Sequence, residues 1–422
     1  MASTATTFDA FLKDNYDKEQ VQWLIENERP YIGKVKKSLG SGRKLIIPVG
    51  IGNPQGLAAD LANAQTAGAQ ASGGNIQGLD WTINWGDYNG TVSIGDKVMK
   101  MSRDNIGAFF EDKKMEIDRL YEAFGDTMET YMLGDAGHTL TPGGFTISSG
   151  VCTLAQANDI VAIRLGQILN VSANNGNSSS DILIASSAAG YVVAVDSING
   201  KFTVAATSGG TAATPSNWTG TMYAFRQGDF GGSGATRILL GYGAWCPTSD
   251  PSSTTFEGIN RTVDLAMLGG TRLLTADQTG AGLEQRIKRL CTRMAGRVGG
   301  TGPTDIMLNP EDWQSLADSL ENRGQRTLDG KIGQFNYQRV QLATAGKMID
   351  VWSDRYVPKG RIYAPNFDTI GLKTLDGFPA IINGDGMTML RAATANNYEF
   401  RIEAYPAYFH RIPGNCGYAA AP

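Results

Sequence analysis

The sequence predicts an α+β fold with an all-β module inserted into it, and three observations carry that reading. Residues 104–133 keep one apolar face at helical spacing. Residues 139–236 contain only seven charged side chains and read as short β runs separated by Asn, Gly and Ser turns. After that stretch, helical and strand patterns follow one another without a regular βαβ repeat, which argues for α+β and against a doubly wound sheet.

Residues 8–27 carry Phe8, Phe11, Leu12, Tyr16, Trp23 and Leu24 at three- and four-residue steps, the pattern of an amphipathic helix. Pro30, Gly33 and the lysines 34, 36 and 37 then read as an extended arm, so 1–42 forms an N-terminal arm. Residues 43–51 make a short apolar strand. The stretch 56–78 is rich in Ala, Gly, Asn and Gln and cannot fill a core by itself. Trp81, Ile83 and Trp85 alternate with polar residues in a second strand, and 91–95 and 97–101 follow as further β segments. Together 43–100 reads as one long two-sided β loop.

Ile106, Phe110, Ile117, Leu120, Tyr121, Phe124, Met128 and Tyr131 define the long helix, with Asp104 as N-cap, Gly134 as C-cap and His138 as a cation near the helix end. The β module is expected between two glycine hinges, 143–144 and 231–232. Its strands are predicted at 160–163, 182–185, 191–195, 202–205 and 222–225, with Asn199-Gly200 as a type I′ hairpin turn. Beyond it, 283–297 reads as a helix with Leu283, Ile287, Leu290 and Met294 inward and Arg286, Lys288, Arg289 and Arg293 outward. A strand at 305–308 leads into a helix begun by Asn309-Pro310. Strands are expected at 349–352, 361–364, 370–374 and 398–408.

Composition narrows the function. The net charge is −4 and there is no long Lys/Arg run, which argues against a free-standing nucleic-acid binder. The four cysteines, Cys152, Cys246, Cys291 and Cys416, form no CxxC and read as isolated thiols. With only His138 and His410, a His-rich metal site within one chain is disfavoured, and any Ser-His-Asp machine must use one of them. His410, in an aromatic tail, reads as a packing residue. No signal peptide and no span of about 18 apolar residues is visible. Gly50 to Gly56 is a poor dinucleotide fingerprint, because the third Gly is late and Pro54 interrupts it, and no phosphate-binding GxxxxGK[ST] occurs. Glu311 and Asp312 are explained by a helix N-terminus, and nothing singles out Asp354 and Asp385 as an acid/base pair. No catalytic residue, cofactor or metal ligand is therefore assigned.

Trp81, Trp85 and Tyr88 lie on a loop-borne strand without an evident local core, so they are candidate anchors for a partner. The basic face of Arg286, Arg289 and Arg293 is a second candidate assembly surface.

The order of parts (arm, β loop, long helix, mixed domain, terminal strand) resembles the major capsid protein of tailed double-stranded-DNA phages, the Hong Kong 97-type coat fold. Local segments add to the resemblance. Phe256-Glu-Gly-Ile-Asn-Arg-Thr-Val-Asp264 with Leu268-Gly-Gly-Thr-Arg272 resembles the entry to the domain at capsomer centres. Pro303 to Trp313 resembles the strand and helix of that domain, and Ile349 to Tyr363 the hairpin that follows. The module at 139–236 departs from the minimal pattern. The resemblance implies an extended loop at 43–100, and a peripheral domain of 101–138, 237–275 and 386–422. It also implies an axial domain at 276–385, with no N-terminal scaffolding segment removed. It implies a non-enzymatic subunit that builds hexamers and pentamers of an icosahedral shell around packaged double-stranded DNA. Its partners would be itself, portal, scaffolding and decoration or cement proteins, with weak contact to DNA and none to membrane. The shell would assemble in the host bacterial cytoplasm and reside in the virion. Lys97 and Lys100 are present, but no Lys–Asn cross-link is assigned. The alternatives are another phage structural protein, of tail or decoration type, and a carbohydrate-active enzyme with 139–236 as a binding module.

Overall fold

A computed structural model describes residues 30–51, 56–68, 77–96, 106–178, 180–185, 188–232, 238–252, 255–273, 275–297, 300–321, 340–344, 346–382, 389–391 and 396–422, with backbone alone at 68, 77, 106–115, 275 and 321. The helix expected at 8–27, the Asp104 cap, Lys97, Lys100 and Asp385 lie outside the described residues.

In chain order the elements begin with α1 (Pro30–Lys34), β1 (Lys36–Leu39), β2 (Lys44–Ile51), α2 (Leu61–Gly68), β3 (Gln77–Asn84), β4 (Tyr88–Gly95) and the long α3 (Ile106–Leu133). The inserted module holds β5 (Phe145–Ser148), β6 (Val151–Leu154), β7 (Ile168–Ser172), β8 (Gly190–Asp196), β9 (Lys201–Ala205) and β10 (Tyr223–Arg226). Then come α4 (Tyr242–Trp245), β11 (Thr255–Phe256), β12 (Ile259–Asn260), α5 (Leu265–Leu268), β13 (Thr271–Arg272), α6 (Leu283–Ala295), β14 (Asp305–Leu308) and α7 (Pro310–Glu321). The rest is strand: β15 (Val340–Thr344), β16 (Lys347–Ser353), β17 (Arg361–Ala364), β18 (Ile370–Thr374), β19 (Ala380–Ile381), β20 (Met389–Arg391), β21 (Asn397–Ala404), β22 (Pro406–His410) and β23 (Gly417–Ala420). The chain is α+β.

The long loop is a real ribbon, but shorter than the sequence suggests. β2 and β3 pair antiparallel from Lys44–Asn84 to Ile51–Gln77. β4 leaves the ribbon and pairs along its whole length with β21, from Tyr88–Ala404 to Gly95–Asn397. The arm after residue 30 is docked. β1 runs parallel to β18, which pairs antiparallel with β22, and Tyr31 and Ile32 have no exposed surface. Burying that Tyr-Ile pair outweighs the freedom of a Pro- and Gly-containing arm.

The module is one antiparallel sheet in the order β10-β7-β8-β9-β6-β5. Phe145 and Met222 exchange both backbone hydrogen bonds, 2.8 and 2.9 Å, so the start of β5 is bridged to the residue before β10. Phe145, Phe202 and Trp218 fill the module, with ring centroids 5.5 and 5.8 Å apart. Two predicted strands are absent. Residues 157–162 form a 3₁₀ turn, and 182–185 make a single bridge at Leu183. The β8–β9 connection is a four-residue loop and not a type I′ turn, with Gly200 alone at positive φ. The Asp196 carboxylate takes the Ile198 and Asn199 amides at 3.2 and 3.1 Å and sets the longer loop.

The expected glycine hinges are seams. Gly231 donates to Gly137 O at 3.1 Å, and a Cβ there would sit 2.4 Å from Ala136 O. Leu140 donates to Ala224 O at 2.8 Å, and one hydrophobic cluster runs without a break from the module into the body. At this seam Asp159 is buried and accepts from Gly143 N at 3.0 Å.

A second core lies under the mixed sheet β13-β23-β17-β14-β16-β15. α6 turns Ile287, Leu290, Cys291 and Met294 toward it. The last strand, β23, belongs to this sheet and pairs with β13 and β17, whereas β18 and β19 pair outside it. The expected axial block of 276–385 therefore exchanges strands with its surroundings at both ends.

Trp81 is also inside the chain. Its ring meets Trp245 edge-on at 5.1 Å and Phe256 at 6.2 Å, and it has no exposed surface. Trp81→Ala is expected to destabilise the isolated subunit by about 3–5 kcal/mol in denaturant unfolding. An unchanged midpoint would contradict this packing.

Burial pushes the Asp159 carboxyl up to about 6, against the lowering influence of the Gly143 N–H and Arg361. Its folded value lies above its unfolded one. Its contribution to stability is therefore full below the unfolded value and is lost as pH rises through about 6. Asp159→Asn keeps an acceptor for Gly143. It should match the parent near about pH 4 and be more stable by roughly 1–3 kcal/mol near about pH 7. An equal difference at both pH values would refute it.

Candidate functional site

The aromatic residues singled out as partner anchors turn inward. Trp81 lies in the core, and its Nε1 donates to Arg411 O at 3.3 Å. Tyr88 packs on Phe124 and Tyr131 at 5.5 and 6.4 Å, and its hydroxyl accepts from Arg226 at 3.0 Å. Trp85 is half-buried; its Nε1 donates to Gly42 O at 2.8 Å and its ring covers Gly40. The alternation at 81–85 is real, but long-range packing supplies the core that the local sequence lacks. As exposed anchors, Trp81 and Tyr88 are corrected.

The basic face of α6 is largely tied down within the chain. Arg286 donates to Ala281 O and Ala420 O, both at 2.9 Å. Arg289 donates to Asp277 O, and Arg293 pairs with the Asp277 carboxylate at 3.1 Å. These contacts hold α6 to the preceding turn and to β23. His138 lies beyond the helix end at φ 59°, buried with its ring 4.7 Å from Tyr131, so it does not serve as the expected cap.

Apolar side chains do face solvent on the arm and ribbon. Leu39 is 72% exposed, Ile46 59%, Leu57 87% and Leu61 73%. Leu57 and Leu61 sit in the connection between β2 and β3, where Ala, Asn and Gln offer nothing large to cover them.

A cleft of about 410 Å³ lies between α3 and the module, lined in part by Arg119, Asp126, Arg164, Arg226 and Tyr356. Asp126 is its hub. It pairs with Arg164 at 3.1 Å and Arg355 at 3.2 Å and accepts from the Tyr356 hydroxyl. A carboxylate so engaged joins three parts of the chain and is poorly placed as a general acid or nucleophile. Asp354 does acquire a carboxylate neighbour, Glu129 on α3. Burial pushes the Asp354 carboxyl up, while Tyr356 N and Glu129 act in the opposite direction. Both residues are buried, in the geometry of a structural pair and not of two groups flanking a substrate.

Cys246 and Cys416 are not isolated. The short α4 ends at Cys246, β22 ends at His410, and a 3₁₀ turn at 413–415 delivers Cys416. All three side chains are buried, and one ligand atom from each lies within 4.8 Å of the others. The His410 ring stacks on Trp245 at 5.5 Å and 5°, and its Nε2 shares a 2.7 Å hydrogen bond with the Tyr408 hydroxyl, which meets the Tyr31 hydroxyl. Burial and Cys416 push the Cys246 thiol up. Burial opposes ionisation of Cys416 as well, but Cys246 and the His410 imidazole hold that thiol well below its usual range. The separation of 246 from 410 and 416 hides this cluster from any spacing rule.

No protein-family model matches the chain, and no curated protein matches it. Solved structures do match over most of its length. A chain of the cyanophage A-1(L) capsid asymmetric unit aligns at 11% identity and TM-score 0.47, covering 93% of this chain and 92% of that one. A chain from the capsid of a native GTA particle aligns at 7% identity and TM-score 0.42, covering 92% and 89%. A chain of the encapsulin complex of Synechococcus elongatus aligns at 7% identity and TM-score 0.42, covering 93% and 86%.

Proposed function

We propose that this chain is a non-enzymatic shell subunit, the major capsid protein of a tailed double-stranded-DNA phage. The observation that carries the reading is the β2–β3 ribbon, whose connection holds Leu57 and Leu61 out in solvent. Leu39 and Ile46 are exposed on the neighbouring arm and ribbon strand. An isolated subunit gains nothing from exposing four large apolar side chains. A neighbouring copy that covers them gains about 1.5–3 kcal/mol for each side chain fully buried. Repeated by symmetry, such modest contacts sum to a stable shell.

On this reading the subunits form hexamers and pentamers that enclose packaged DNA. Portal, scaffolding and decoration proteins are the further partners. The net charge of −4 suits a wall that grips DNA weakly. The shell assembles in the host bacterial cytoplasm and becomes the virion wall. The loops of the inserted module carry exposed apolar side chains of their own, Leu165, Ile182 and Ile198, each a point that a decoration protein could cover.

The test is electron microscopy of the full chain, expressed alone and with its neighbouring genes. Closed shells or hexameric and pentameric rings are expected from the parent. A Leu57→Asp/Leu61→Asp variant, and a deletion of 56–78, should give soluble subunits with few or no closed shells. Normal shells from both variants would overturn the ribbon's role. Open tubes from the parent would favour a tail protein. A monomer under every condition would end the shell reading.

A further inference from the structure

We infer that Cys246, His410 and Cys416 form a buried zinc site. Chain segments far apart in sequence bring the three ligand atoms within 4.8 Å of one another, and each side chain is fully buried. The inference is independent of the shell reading, because the site lies inside one chain.

The orientation of His410 is the strongest argument. Its Nε2 is committed to Tyr408 at 2.7 Å, and the Tyr408 hydroxyl is held in turn by Tyr31. A metal-bound histidine characteristically has its second ring nitrogen fixed by such an outer hydrogen bond. Nδ1 is then left to face a ligand. It is buried on the side of the Cys416 thiol, with which the imidazole interacts, so thiol and ring nitrogen converge on one point.

The donor set selects the ion. Two thiolates and an imidazole suit a thiophilic d¹⁰ cation. With Zn²⁺ the site is electrically neutral, whereas Cu⁺ leaves one negative charge buried, and burial disfavours net charge. Thr369 Oγ1 lies 3.9 Å from Cys416 Sγ and donates to Asn366 O at 3.0 Å, which fixes the hydroxyl beside the sulfur. The proton balance is definite. Whether the resting cluster is two thiols with neutral imidazole, or a thiol with a thiolate–imidazolium pair, binding Zn²⁺ releases about two protons.

The site would pin three late segments together, the end of α4, the end of β22 and the turn before β23. The test uses the full chain, purified under reducing conditions from zinc-supplemented medium. Elemental analysis should find about one zinc per chain. Chelation followed by Co²⁺ should produce a thiolate-to-cobalt charge-transfer band that added Zn²⁺ abolishes. Cys416→Ser should lose the band, while Cys152→Ser and Cys291→Ser should keep it. The cobalt readout on the parent chain stands even if the Cys416 variant fails to fold. Absence of both stoichiometric zinc and the cobalt band would overturn the site. So would copper in place of zinc, or a Cys246–Cys416 disulfide detected as a loss of two hydrogens in the reduced preparation.

Discussion

The end of α3 must be satisfied on every side, and most of the chain is arranged to do that. Met128, Tyr131, Met132 and Leu133 are essentially without exposed surface. The polar groups there cannot reach water and need partners from elsewhere. Tyr363 donates to Leu133 O at 3.1 Å, Gly243 donates to Gly134 O at 3.0 Å, and Arg361 pairs with Asp135 at 3.2 Å. One turn earlier, Tyr131 donates to Asp229 at 2.5 Å, and Glu129 accepts the Tyr31 amide at 3.0 Å. The arm, the inserted module, the segment after it and β17 all converge on a single helix end.

That convergence explains why the inserted module is not a loosely hung domain. Its outer strands meet at the Phe145–Met222 bridge, and the edge strand β10 also bonds the body through Leu140 N to Ala224 O. Here both connections run along the α3 end. Close backbone approach at Gly231 lets them pass without a gap. The Asp126 hub then ties α3 to Arg164 of the module and to Arg355 and Tyr356 of the following domain.

Much of the fold was legible in the sequence where the signal is local. The long helix is present from 106 to 133 because its apolar face repeats over many turns. Asn309-Pro310 starts α7 as expected, with the Asn309 side chain accepting the Glu311 amide at 3.1 Å. Strands with β-branched and aromatic alternation, such as 191–195 and 202–205, pair antiparallel as expected, with a bulge between Val192 and Ala194. The misses involve competition between local signals. At 157–162 the apolar run is short enough to turn, and at 197–200 the Asp196 carboxylate outcompetes the two-residue turn.

The sequence by itself determined the α+β class, the position of the inserted β module and the presence of a two-stranded loop, because periodicity and turn chemistry act over a few residues. Tertiary structure alone decided which side of the protein each aromatic faces. Trp81 and Tyr88 are anchors for Trp245, Phe256, Phe124 and Tyr131 of the same chain, not for a partner. It also decided that Cys246 meets His410 and Cys416. Burial and ligand geometry depend on which distant segments share a volume, and no spacing along a single chain encodes that directly.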